Sequence, residues 1–238
     1  EATFKELLQS LTQPGTAAAT GPGILGLAYR EGDQVKLNPA RPVLQDLDQI
    51  PSPYRFGDAA ELKNRIVYYE SSRGCPYSCQ YCLSSLEKSV RYFSLERVKK
   101  DLLGLMDQGA ETIKFVDRTF NCHPARAREI FSFLIDNTPK MRPVRYHFEI
   151  GAALLDEATL QLLEQAPPGL FEFEIGVQST NEATLAAVKR KADWHRLKPA
   201  VQRLAKPQNI HLHLDLIAGL PQETYSSFRR SFNAVFSL

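Results

Sequence analysis

From about Arg65 onward the chain alternates short apolar strands with longer stretches of helical periodicity, five times over. The strand candidates are 66–70, 112–117, 145–150, 171–177 and 210–217. Between them apolar residues recur at helical spacing, as in Leu95, Val98, Leu102 and Leu105. Ser94 is placed to cap that helix. Asp156 is placed to cap a later one, with Leu155 and Leu160 as a hydrophobic staple. Pro167-Pro168-Gly169 ends the latter. Asn181 opens the next helix, which Pro199 is expected to break in two. A last helix is expected from Thr224 to the final residue. Strands alternating with helices at these intervals predict parallel βα units, hence an α/β fold.

Side chains alternate across a strand, and here the two faces differ in chemistry. In the fourth strand Phe171, Phe173, Ile175 and Val177 oppose Glu172, Glu174, Gly176 and Gln178. In the fifth, Ile210, Leu212, Leu214 and Leu216 oppose His211, His213, Asp215 and Ile217; in the third, Tyr146, Phe148 and Ile150 oppose His147 and Glu149. A parallel strand packed on both faces should be apolar nearly throughout. Polar faces on three successive strands imply an interior that binds something polar, with structural ion pairs as the plainer reading. His147, Glu172, Glu174, His211 and His213 are the candidate substrate contacts of such an interior.

The first 60 residues read differently. Thr3 to Leu11 suits one short amphipathic helix. Residues 14–23 are a Pro/Gly and small-residue loop. Residues 24–29 and 35–37 flank Glu31-Gly32-Asp33 as a small hairpin. Pro39, Pro42, Pro51 and Pro53 punctuate an extended segment. The first residue is Glu rather than Met, which reads as a fragment or processed product.

The 238 residues are 43% hydrophobic, enough for a sizeable core, and carry a formal charge of +2. So small a charge gives no signal for nucleic acid or a membrane surface, and no apolar run reaches the length of a membrane span. Of four cysteines, three fall at 75, 79 and 82. Such clustering points to metal in a reducing, cytoplasmic compartment rather than to a disulfide framework.

Cys75, Cys79 and Cys82 lie on a loop directly after the first strand of the series, within Ser72-Arg73-Gly74-Cys75-Pro76-Tyr77-Ser78-Cys79-Gln80-Tyr81-Cys82. Thiolates suit iron–sulfur clusters and zinc. Three of them on a four-iron cluster leave one iron open to a substrate or cofactor. A zinc knuckle or an electron-transfer cluster needs a fourth ligand, for which Cys122 is the candidate; otherwise Cys122 is a buried apolar residue. A metal-dependent hydrolase using His211, His213 and a strand carboxylate is a rival of another class. A non-catalytic binding module is a third.

The C-x-x-x-C-x-x-C loop resembles the signature of the radical S-adenosylmethionine (SAM) superfamily. Asp215-Leu216-Ile217-Ala218-Gly219-Leu220-Pro221 is similar to its fifth-strand adenine motif. Gly176-Val177-Gln178-Ser179 with Leu185 and Arg190 is similar to SAM-binding positions in the oxygen-independent coproporphyrinogen oxidase branch. The resemblance implies Cys75, Cys79 and Cys82 as ligands of a 4Fe-4S cluster and Tyr81 against the adenine, with Ile217 and Gly219 in the adenine motif. It implies Glu149 and Gln178 on ribose or methionine groups, Arg190 on the methionine carboxylate and Asp215 on the ribose hydroxyls. The activity implied is reductive SAM cleavage, starting radical chemistry on an unknown small molecule, with an electron donor such as flavodoxin or ferredoxin.

More narrowly, Tyr68-Tyr69-Glu70-Ser71-Ser72-Arg73-Gly74-Cys75 and Phe115-Val116-Asp117-Arg118-Thr119-Phe120-Asn121 resemble a poorly characterised, cobalamin-associated subgroup. Glu1-Ala2-Thr3-Phe4 resembles the end of a cobalamin-binding domain. On this reading 1–60 is a linker or remnant of that domain, and 61–238 is a truncated barrel. Cobalamin would then be used only with the missing N-terminal domain, for methyl transfer or rearrangement. The family's barrel implies six βα units, of which five are expected here, leaving a partial barrel open at one edge. Its Gly-Gly-Glu, which meets the SAM ammonium, is replaced by Val116-Asp117-Arg118-Thr119, making Asp117 the candidate acceptor.

Overall fold

The computed structural model describes all residues except 13–22, 56–61, 63–64, 88 and 139–143. The loop expected at 14–23 therefore lies almost wholly outside the described residues. The chain divides into two compact units, Glu1–Ile50 and Pro51–Leu238.

The first unit holds helix α1 (Ala2–Thr12) and the antiparallel hairpin of β1 (Ala28–Glu31) and β2 (Gln34–Leu37). Gly32, at φ 59°, makes the tight turn. Arg41 ties helix to loop: its Nε donates to Thr3 Oγ1 at 3.0 Å, and it pairs with Glu6. The unit boundary falls earlier than residue 60. The Tyr54 hydroxyl, in a short 3-10 turn (Pro53–Arg55), donates to the Tyr68 carbonyl and so fastens that segment to the sheet.

The second unit contains β3 (Ile66–Tyr69), β4 (Ser72–Arg73), β5 (Arg91–Tyr92), α2 (Leu95–Asp107), β6 (Thr112–Phe115), α3 (Pro124–Asn137) and β7 (Arg145–Glu149). There follow α4 (Glu157–Glu164), β8 (Phe171–Gln178), α5 (Glu182–Ala187), α6 (Trp194–Ala205), β9 (His211–Leu216) and α7 (Tyr225–Phe236). Five strands form one parallel sheet in the order β3-β6-β7-β8-β9. Each strand lies beside the next in the chain, as successive βα crossovers of one hand require. Among the described residues the sheet does not close. β4 and β5 form a separate antiparallel pair.

The apolar strand faces and the helices make the core. Phe115, Tyr146, Phe148, Phe171 and Phe173 are fully buried, as are Leu102, Leu105, Ile130, Phe131 and Leu134 from α2 and α3. Phe131 meets the rings of Phe148, Phe171 and Phe173 at 5.2 to 5.6 Å, locking α3 onto three neighbouring side chains of β7 and β8. The expected caps form: Ser94 accepts from Arg97 N, Asp156 from Thr159 N and Asn181 from Ala183 N.

Pro199 does not break its helix. It lies inside α6, whose buried face of Leu197, Ala200, Val201 and Leu204 offsets the one lost backbone bond. The interruption comes earlier. α5 ends at Ala187, Lys189 takes φ 54°, and Asp193 caps a new helix through His195 N and Arg196 N. This break places Arg190 at the tips of the strands.

Candidate functional site

The cysteine loop hangs between β4 and β5 at the C-terminal end of β3, where functional loops of parallel sheets gather. Gly74 enters it at φ 100°, a conformation that side chains disfavour. A Cβ there would collide with the Ser89 carbonyl oxygen. Gly74→Ala is therefore expected to destabilise the chain by about 2 kcal/mol or more and to lower iron retention. A urea titration and an iron assay read the two effects. Cys75 N donates to Glu87 O at 3.4 Å, Cys82 N to Cys79 O at 3.1 Å and Gln80 N to Val188 O at 3.0 Å, the last fixing the loop to the end of α5.

All three cysteines are free thiols, and all three line one cavity of about 550 Å³. Cys75 and Cys79 are buried and Cys82 is half-buried. Cys122 does not line the cavity. Its Sγ lies 3.3 Å from the Tyr92 hydroxyl, and burial pushes its thiol pKa up. The chemistry of the cavity is that of three thiolates without a fourth, which fits a 4Fe-4S cluster with one open iron.

Tyr81, Glu149, Gln178, Arg190 and Asp215 line the same cavity. Arg190 Nη2 donates to Gly176 O at 2.8 Å, and Nη1 to Cys79 Sγ at 3.8 Å; its guanidinium lies 5.7 Å from the Tyr77 ring centroid. Gln178 sits at a register shift between β8 and β9 with φ 68°, its amide folded over Gly176, where a Cβ would collide with it. Burial, with Glu174 and Asp215 nearby, raises the Glu149 carboxyl. Burial and then Glu174 raise Asp215. Burial pushes the Tyr81 hydroxyl up to about 12. The cavity thus carries both acidic groups and Arg190 on its lining, a donor and acceptor set that can hold an ammonium and a carboxylate at once.

Three expected residues are not brought to this cavity. Asp117 is fully buried away from it. Its carboxylate accepts from Ser71 N at 2.9 Å, from Ser71 Oγ at 2.7 Å and from Ser72 Oγ. These donors occupy it as an anchor for β4 rather than as a ligand group. Ile217 N donates to Gln178 O at 3.0 Å, which extends the β8–β9 pairing, and Gly219 is exposed at φ 83°. Among the cavity residues without an expected role, two touch the predicted ones. Tyr77 lies beside Arg190, and Thr119 Oγ1 lies 3.9 Å from Cys75 Sγ. Tyr77 was identifiable as an aromatic inside the cysteine spacing.

The polar strand faces line a second hollow of about 560 Å³, which shares Glu174 and Asp215 with the first. Its groups pair with one another. His147 Nε2 lies 3.3 Å and Lys114 Nζ 3.5 Å from Glu174 Oε2, and His213 Nε2 lies 2.7 Å from Glu172 Oε1.

The sequence model of the radical SAM superfamily matches residues 69–235. The chain belongs to the radical SAM superfamily. An uncharacterized methyltransferase of Pyrococcus horikoshii, PH0819, is 39% identical to this radical SAM chain over 137 residues, covering 55% of the chain and 29% of that protein. The cobalamin-dependent radical SAM methyltransferase TokK of Streptomyces tokunonensis is 28% identical over 244 residues, 96% of the chain and 35% of TokK. The structure of the cobalamin-dependent radical SAM enzyme OxsB, with aqua-cobalamin and SAM bound, superposes with a TM-score of 0.75 at 19% identity, over 98% of the chain and 34% of OxsB. The chain spans about a third of the length of the curated relatives it matches. No described helix is long and apolar enough to cross a membrane.

Proposed function

We propose that this chain is the cluster- and SAM-binding core of a cobalamin-dependent radical SAM methyltransferase acting on a small molecule. The observation that carries the reading is the convergence of three thiols, without a fourth, on a cavity that also holds Arg190, Glu149, Gln178 and Asp215. When bound there, the cluster supplies the electron that splits SAM into methionine and a 5′-deoxyadenosyl radical.

The chain's own residues bind and orient. Cys75, Cys79 and Cys82 would hold three irons. Arg190 would take the methionine carboxylate, and Asp215 the ribose hydroxyls, with Glu149 and Gln178 on neighbouring polar groups of SAM. Tyr81 would cover the adenine. Methyl transfer comes from what TokK is, and cobalamin from TokK and OxsB; the reducing compartment of choice is the cytoplasm, with a flavodoxin or ferredoxin as donor. The hydrolase and non-catalytic readings draw no support from these relatives.

Anaerobic reconstitution tests the reading. About four irons per chain should bind, as three thiolates on one cubane require, and dithionite with SAM should yield 5′-deoxyadenosine. Arg190→Gln should keep the iron and weaken SAM binding by roughly tenfold, the worth of a lost charge-assisted pair. Loading with zinc in place of iron, or iron without SAM binding, would overturn it.

A further inference from the structure

Outside the cysteine cavity, the polar face of the sheet carries a second set of metal-ligating groups. Glu172 on β8 is the register partner of His211 on β9, and His213 follows two residues later on the same face. One ligand atom from each lies within 4.8 Å of the other two. The two imidazoles stand 4.5 Å apart at 74°, so their edges can converge without stacking. None of the three lines the cysteine cavity.

We infer that Glu172, His211 and His213 form a divalent transition-metal site, occupied by zinc, that clips strand β9 to strand β8. The donor set is two imidazoles and one carboxylate, which suits zinc and its neighbours rather than iron held by sulfur. Histidines two apart on a strand present their nitrogens on one side, at a spacing one ion can bridge. Glu172 Oε1 is hydrogen-bonded to His213 Nε2 at 2.7 Å, and its Oε2 lies 3.9 Å from Arg145 Nη1; a metal ion entering here replaces the Glu172–His213 bond and displaces its proton. His147, Lys114, Glu174 and Asp215 complete the surroundings of this face. Arg145 and Lys114 oppose a cation there and Glu174 and Asp215 favour one. Three protein ligands leave the remaining positions to water, and the role assigned is a structural bridge between adjacent strands.

The test uses the cluster-loaded chain under anaerobic conditions, so that the thiolates are already occupied. Equilibrium dialysis against zinc, followed by metal analysis, should find about one zinc per chain beside the iron, as one three-ligand site requires. His211→Ala and His213→Ala should each weaken uptake by roughly tenfold or more while iron content and the circular dichroism spectrum stay unchanged. His195→Ala, which removes an exposed histidine on α6, should leave uptake as it was. Zinc should raise Tm in the wild-type chain and in the His195 variant but not in the other two. In the difference spectrum against the cobalt-free, cluster-loaded chain, cobalt in place of zinc should add ligand-field absorption and no new sulfur-to-cobalt charge transfer. No zinc above background, uptake that survives both substitutions, or a sulfur-to-cobalt band in that difference spectrum would each overturn the proposal. The first outcome would leave Glu172 and His213 as a plain ion pair.

Discussion

Cys79→Ala is expected to abolish cluster binding and with it 5′-deoxyadenosine formation, whereas Cys122→Ala should leave about four irons per chain, the load of an intact cubane. The contrast follows from where the two thiols sit. Cys79 is buried on the wall of the cavity, in reach of Arg190 at 3.8 Å, and shares that cavity with Cys75 and Cys82. Removing it leaves two thiolates for a centre that needs at least three. Cys122 faces the Tyr92 hydroxyl at 3.3 Å, outside that wall. If it were a fourth ligand, its loss would open a coordination position and lower the iron count. Iron analysis and the charge-transfer absorption of the anaerobically loaded proteins decide between the two. A Cys122 variant that loses its iron would turn the site into a closed electron-transfer cluster and remove the opening SAM needs.

Much of this arrangement is legible in the sequence. Short apolar runs between stretches of helical spacing located all five parallel strands, and in the last three a period-two alternation, a local property that packing then keeps, also gave their faces. The cysteine spacing identified the loop, since few chemistries need three thiols so close together. What failed to show was whatever depends on which way a loop turns. Asp117 follows a strand just where a SAM contact would be expected, yet its carboxylate is claimed by Ser71 and Ser72, residues 46 and 45 positions earlier in the chain. Pro199 looked like a helix breaker because its lost bond is a local cost. The burial of Leu197, Val201 and Leu204 that outweighs it is tertiary. The ion pairs across the polar face, Glu174 with His147 and Lys114, and Glu172 with His213, could be suspected from composition, but their partners required the strand register.

Asp117→Ala should destabilise the chain by about 2–4 kcal/mol and loosen the cysteine loop. The side chain is 1% exposed and takes the Ser71 amide and the hydroxyls of Ser71 and Ser72. Its loss leaves the amide donor buried without an acceptor, just ahead of the loop that begins at Gly74. Relief of a buried charge offsets part of the cost. Burial raises the Asp117 carboxyl above its ordinary 3.8, and the three donors only partly counter this. The sign of the pH dependence follows. Between the ordinary value and the raised folded one, the folded chain binds the proton that the unfolded chain has released, so this group adds stability as pH falls through that window and withdraws it as pH rises. Asp117→Asn lacks that titration and also turns an amide donor toward the Ser71 N–H. The stability difference between wild type and Asp117→Asn should therefore widen as pH falls from neutral through the raised pKa. Urea midpoints across that range measure it. A difference that narrows instead would mean the carboxylate is stabilised by its three donors more than burial penalises it, and that the anchor of the loop is an anion held by design rather than at a cost.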